Sequence, residues 1–242
     1  MKKAVDFILF LLFQLIRGFF FLFPRRFCLF LGRMLGFSFF LFDSRHRKIA
    51  LVNLSDVLGS TYSQQALAAI ARSSFLYFGE MILDLIKFST LKEKSKSRLI
   101  TIEGTEHIQK ALEEKKGILL FTGHFGNWEI APFCVSRWGT LKVIARPLDN
   151  AFMEKELYRL RTALGGEVIH KQKAARDVLR ALQKNAMVAI LIDQNVLRDE
   201  AVFVDFFGKP AATTPSLAKF HLRTQAPILP VFSYPTAAHT FH

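Results

Sequence analysis

The sequence predicts an α/β fold, a mainly parallel sheet flanked by helices and preceded by membrane-associated helices. Three observations predict it. Residues 1–90 carry apolar side chains at helical spacing. From residue 99 onward, short apolar runs alternate with helical patterns, the grammar of strand–helix–strand units. Those runs are almost continuously apolar, as strands buried on both faces of a parallel sheet must be.

The helical part comes first. "FILFLLFQLIRGFFFLF" (7–23) and "FCLFLGRMLGFSFFLF" (27–42) are interrupted by Arg17 and Arg33 and flanked by Arg25 and Arg26. Residues 1–48 hold nine Lys/Arg and two acids, whereas the whole chain of 242 residues has a formal charge of +13. Positive charge is therefore densest where phenylalanine is densest, the pattern of a membrane anchor with snorkelling arginines and a basic collar. Residues 4–23 have the length of a span. Arg17 near its middle would cost about 2.5–3.5 kcal/mol on insertion scales, so spanning and interfacial placements both stay open. No small-residue cleavage site follows the apolar run, which argues against a removed signal peptide. Residues 1–42 are thus read as membrane-anchoring helices and 43–95 as a helical segment packing on the body. The polar stretch "STLKEKSKSR" (89–98) is the boundary, and 96–242 form the α/β domain.

Within that domain the expected strands are "LITI" (99–102), "GILLFT" (117–122), "KVIA" (142–145), "MVAILI" (187–192) and "PILPVF" (227–232). Asn150 and Gly165 punctuate one helix, and Thr214-Pro215 opens another. The two cysteines, Cys28 and Cys134, form neither a disulfide framework nor a metal-ligand pattern. Phenylalanines gathered in apolar runs, with no recognised binding module, argue against nucleic acid as the partner of the basic surface.

Chemistry concentrates in "GILLFTGHFGNWEIAPF" (117–133). If 117–122 is a central strand, His124 lies in the loop at its carboxyl end, where open α/β sheets bind ligands. The glycines Gly123 and Gly126 permit a turn. Asn127 then caps a following helix and Glu129 falls in its first turn, folded back toward the imidazole. A carboxylate on one imidazole nitrogen fixes the tautomer and raises the basicity of the other, giving a general base for a hydroxyl. The helix start would offer backbone N–H groups to a developing oxyanion. The same residues also fit a plain reading: a hydrogen-bonded loop histidine, and a glutamate favoured by the helix dipole. The spacing is not that of a zinc-protease helix, and no metal site is expected.

The segment "GHFGNWE" (123–129) closely resembles the H-x₄-[DE] block of the glycerolipid acyltransferase superfamily, and with the following Ile-Ala its bacterial lipid A biosynthesis (lauroyl/myristoyl) branch. "RHRKIALVNL" (45–54), "VIARPLDNAFMEKELYRLR" (143–161), "ILIDQN" (190–195) and "VDFFGKPAATTPSLAKFHLRTQAPILPVF" (204–232) resemble further blocks of that branch, in order. The Pro-Glu-Gly-Thr block of the glycerol-phosphate branch is missing. The resemblance implies that His124, held by Glu129, deprotonates a hydroxyl on a lipid A precursor, a phosphorylated glycolipid. The alkoxide then attacks an acyl-carrier-protein thioester, with coenzyme A as the alternative donor and no cofactor. It implies substrate-binding roles for Arg146, Asn127, Gly126 and Asp193. Arg146 would meet phosphate or transition-state charge, and Asp193 would orient Arg146 or a substrate hydroxyl. Arg146 also reads as an ordinary surface arginine and Asn127 as a plain cap. The implied partners are acyl carrier protein, the glycolipid and an anionic inner-leaflet membrane, with the catalytic domain on the cytoplasmic face of the cell inner membrane. It further implies chain beyond the last strand. Two alternatives remain: acylation of another lipid (a lysophospholipid, a mannosylated phosphoinositide or an ornithine-type lipid), and a non-enzymatic basic membrane adaptor.

Overall fold

A computed structural model describes residues 2–170, 174–236 and 238–242. The chain divides into two compact units, one of residues 11–91 and one of residues 92–242 together with residues 1–10.

The first unit is helical, formed from the part of α1 (Lys2–Leu22) beyond residue 10, α2 (Arg25–Phe42), α3 (Ser44–Leu58) and α4 (Gln64–Thr90). Pro24 separates the first two, because proline cannot continue a helix but starts one well. The Asp43 and Ser63 side chains accept the N–H groups of His46 and Ala66 at the starts of α3 and α4. Helices α2 and α4 touch backbone to backbone: a Cβ on Gly79 would lie 2.2 Å from the Gly32 carbonyl oxygen, and one on Gly36 2.2 Å from that of Phe75. Small residues allow this approach, a packing also used between helices within membranes. The two buried charges of α4 serve the α1–α2 corner. Asp84 takes a two-pronged bond from Arg25, both contacts 2.6 Å. Lys87 Nζ donates to the Phe20 and Phe21 carbonyls at 3.2 and 3.0 Å, satisfying oxygens that the end of α1 leaves open.

Residues 3–22 and α4 are each long and apolar enough to cross a membrane, and α2 and α3 form a pair bent by 88°. A large share of the apolar side chains of α1, Leu15 and Leu22 among them, are exposed. These helices mark the protein as membrane-associated.

The second unit carries α5 (Glu93–Ser97), α6 (Thr105–Glu113), β1 (Ile118–Thr122), α7 (Ala131–Val135), β2 (Leu141–Ala145), α8 (Ala151–Ala163), β3 (Gly166–His170), α9 (Ala174–Gln183), β4 (Met187–Leu191), β5 (Val202–Phe206), β6 (Lys209–Thr213), α10 (Ser216–Thr224) and β7 (Ile228–Pro230). The described strands form a five-stranded sheet in the order β3-β2-β4-β1-β7, every pair parallel, and a separate antiparallel hairpin β5-β6. Alternation along β1 explains its apolar run. Leu119 packs with Val178, Leu182 and Val188 in one core, whereas Ile118 and Leu120 pack with Val143 and Met187 in another. Asn150 caps α8 through bonds from Phe152 N and Met153 N, and the Thr214 hydroxyl accepts from Ser216 N at the start of α10.

Two expectations need correction. Residues 99–102 are not a strand: Ile100 makes a single bridge to Phe241, and Gly104, at φ +73°, turns the chain into α6 before a ladder extends. No long helix starts at Asn127 either. Residues 128–130 form a turn, and α7, with Ile130 at its cap position, spans only five residues.

Candidate active site

The register of the sheet builds the site. Thr122 of β1 pairs with Leu191 of β4, so residues two steps beyond each, His124 and Asp193, emerge side by side from adjacent strand ends. Asp193 holds the histidine twice: Oδ2 accepts the His124 backbone N–H at 2.7 Å, and Oδ1 lies 2.9 Å from Nδ1. Gly123 makes room for this, since a Cβ there would sit 3.2 Å from the Asp193 carboxyl carbon. With Nδ1–H donated to the carboxylate, Nε2 carries the free lone pair. That nitrogen lies 3.4 Å from Gln194 Nε2, and the Trp128 ring meets the imidazole edge-on, centroids 4.8 Å apart. The side chains of His124 and Asp193 are 34% and 41% exposed.

The expected bond between His124 and Glu129 is not formed. Glu129 instead receives two hydrogen bonds from Arg161 of α8, Nε to Oε2 at 3.0 Å and Nη2 to Oε1 at 2.5 Å. Both side chains are nearly buried, at 13% and 14% exposure. The reason is geometric: the turn at 128–130 lifts Glu129 away from the ring, while the strand-end partner of His124 comes from β4. Burial works against the Arg161 charge, yet hydrogen bonding to Glu129 and its negative charge hold the guanidinium above its ordinary value. Arg161 closes the segment 143–161 but lies 32 residues from Glu129 with no linear pattern joining them, which is why sequence reading missed it.

Both pairs open on one cavity of about 810 Å³ at the carboxyl ends of β1, β2 and β4, which His124, Glu129, Arg161 and Gln194 all line. Much of the rest of its wall is aliphatic, including Leu141, Val143, Ile190 and Val231. Arg146 stands at its edge, 79% exposed and 3.7 Å from Asp149. Gly126 and Asn127 are not among the described residues lining it. Gly126 has φ +62° and would place a Cβ 1.7 Å from the Ser233 carbonyl oxygen, so only glycine fits where the loop crosses the segment after β7. Asn127 is 1% exposed; its backbone N–H bonds Ser233 O at 2.8 Å, and its side-chain amide has no protein partner. It anchors the loop from beneath and caps no helix. Cys134 is pushed up to about 11 by burial, slightly offset by the charge of Arg137, and stays a protonated thiol at neutral pH. Among the described residues no three His, Cys, Asp or Glu side chains are grouped to hold a metal ion.

Fold and site together define a membrane-associated α/β protein with a histidine–carboxylate pair at the mouth of a largely apolar cavity. Residues 2–240 match the family model described as bacterial lipid A biosynthesis acyltransferase, and the chain belongs to that family. It is 29% identical over 159 residues to a phosphatidylinositol mannoside acyltransferase of Mycobacterium tuberculosis, covering 63% of this chain and 50% of that protein. It is 23% identical over 172 residues to a lipid A biosynthesis acyltransferase of Haemophilus influenzae, covering 71% and 54%. A phosphatidylinositol mannoside acyltransferase of Mycolicibacterium smegmatis is 27% identical over 131 residues, covering 52% and 43%. The chain spans about half the length of the curated relatives it matches.

Proposed function

We propose that the protein transfers a fatty acyl chain from a thioester to a hydroxyl of a membrane glycolipid, with a lipid A precursor as the acceptor. The observation that carries this reading is His124 held through Nδ1 by Asp193 at the rim of a cavity with aliphatic walls. In the proposed reaction His124 Nε2 takes the proton of the acceptor hydroxyl. The resulting alkoxide attacks the thioester carbonyl and a C–O bond forms. When the tetrahedral intermediate collapses, the C–S bond breaks and the thiolate leaves, taking up the proton from the imidazolium. Asp193 stabilises that imidazolium and keeps Nε2 aimed at the substrate. Gln194 Nε2, 3.4 Å from the base nitrogen, is a side-chain donor for the oxyanion in this scheme. Glu129 and Arg161 form a fixed ion pair in the cavity wall, and exposed Arg146 is free to meet a substrate phosphate. Acyl carrier protein is the proposed donor, with coenzyme A as the alternative, and no cofactor takes part. The chain would act from the cytoplasmic face of the inner membrane, where its net positive charge suits an anionic leaflet and an acidic donor protein.

A second acceptor, a mannosylated phosphoinositide, is favoured by the relatives named for that lipid at 29% and 27% identity. The test is to supply protein in membranes with labelled acyl carrier protein thioester and, separately, a lipid A precursor, a mannosylated phosphoinositide, a lysophospholipid or an ornithine lipid. Label appearing in the lipid A precursor supports the first reading, and label in the phosphoinositide alone supports the second. No thioester consumption with any acceptor would leave the membrane adaptor.

A further inference from the structure

The β5–β6 hairpin has no place in the chemistry above, yet it is built at a cost. Each residue of β5 is exposed, on both faces of the ribbon. Val202, Phe203, Val204, Phe206 and Phe207 are 44–63% exposed, and Leu197 just before them is 69% exposed. Only the end of β6, residues 211–213, is half-buried; a soluble hairpin buries one face along its length, and a lone two-stranded ribbon that does not is marginal in water. The tip adds a second anomaly. Phe206 pairs with Lys209, leaving Phe207 and Gly208 as the two central turn residues, at φ +54° and +74°. That turn calls for Asn-Gly or Asp-Gly; an aromatic residue there is strained. The strain gains no core contact: among the described residues Phe207 meets only the ring of its neighbour Phe206, edge-on with centroids 4.6 Å apart, and it is 62% exposed.

We propose that this hairpin tip inserts into the lipid bilayer and docks the mouth of the cavity on the membrane surface. Three observations favour a bilayer over other occupants. Residues 196–213 contain two basic and three acidic side chains, so the segment has no net positive charge with which to recruit an acidic carrier protein or nucleic acid. Its aromatic tip, with Lys209 beside it, matches an interfacial wedge. The segment that carries the hairpin also starts and ends in the cavity wall: Asn195 and Val196, a short turn ahead of β5, and Thr214, immediately after β6, are lining residues. The same chain carries helices long and apolar enough to cross a bilayer. The inference needs only membrane association, not acyl transfer.

The test reads contact, not activity. The full chain with Phe207→p-benzoylphenylalanine is reconstituted into vesicles of phosphatidylethanolamine and phosphatidylglycerol and irradiated, with acyl carrier protein present. Phospholipid adducts at position 207 are expected, and their yield should hold from ~0.1 to ~1 M salt because insertion is apolar. Adducts to a second copy, adducts to the carrier protein, or no adducts would each overturn the proposal. A second chain carries the same probe at Phe203 together with Phe206→Ser and Phe207→Asn, which restores ordinary turn chemistry. Its melting temperature should equal or exceed that of the parent, while lipid adducts fall about tenfold or more for the lost aromatic surface. Unchanged lipid adducts from this well-folded chain would also overturn it.

Discussion

Two acid–base pairs face the same cavity and are built to opposite specifications. His124–Asp193 is about one-third to two-fifths exposed and joins a carboxylate to an imidazole, whose second nitrogen can accept a proton. Glu129–Arg161 is nearly buried and joins a carboxylate to a cation that never gives its proton up. One pair is suited to moving a proton and the other to keeping a charge fixed. A carboxylate near a histidine in sequence is therefore not automatically its partner; the neighbouring strand end supplied the nearer one.

This contrast can be broken at either pair. The largest expected effect is His124→Ala, which should reduce acyl transfer to background in a labelled-thioester assay while thermal unfolding stays near that of the parent. Next, Asp193→Asn should lower turnover by about 10²–10⁴-fold, because the imidazolium loses its stabilising charge and the tautomer is no longer imposed. The melting temperature should shift little, since the group is at the surface. Turnover that survives Asp193→Asn would return the base-orienting role to Glu129.

At the buried pair the readout inverts. Glu129→Gln strands the Arg161 charge and should cost about 3–5 kcal/mol of stability, measured by denaturant unfolding of the detergent-solubilised chain. Replacing both residues, Glu129→Gln with Arg161→Met, should recover a large part of it. If Glu129→Gln instead cuts turnover with no loss of stability, the pair is catalytic and the division drawn between the two pairs is wrong.

The smallest effect tests the buried wall behind α7. The Cys134 thiol is raised to about 11 from its ordinary 9.0, so the folded state holds a proton that the unfolded state releases first. Its contribution is complete below about pH 9 and is lost as pH climbs through 11, amounting to about 2–3 kcal/mol. Melting curves of the parent should therefore fall more steeply between those pH values than curves of Cys134→Ala.

Much of the architecture was legible because burial writes itself into linear pattern. The strands at 117–122, 142–145 and 187–192 are apolar on both faces, and each expected run contains or overlaps an observed strand of the sheet. The Asn150 cap was readable for the same local reason. Edges were harder. The strand at 166–170 carries Glu167 and His170 and is an outer strand, so its pattern is mixed. The run at 99–102 is apolar enough to look like a strand but meets only Phe241. The hairpin at 202–213 went unread as structure because its apolar residues face outward on both sides.

The chain's local order therefore specifies the helical first ninety residues, the parallel strands and the placement of His124 at a strand end, since each depends on side chains within a few positions of one another. Which acid holds that histidine is a question of strand order and register. Asp193 reaches His124 across 69 residues because β4 lies beside β1, and Arg161 reaches Glu129 across 32 because α8 packs its arginine against the turn. Such partnerships arise between elements distant along the chain, and periodicity, which reports only nearest neighbours, carries no trace of them.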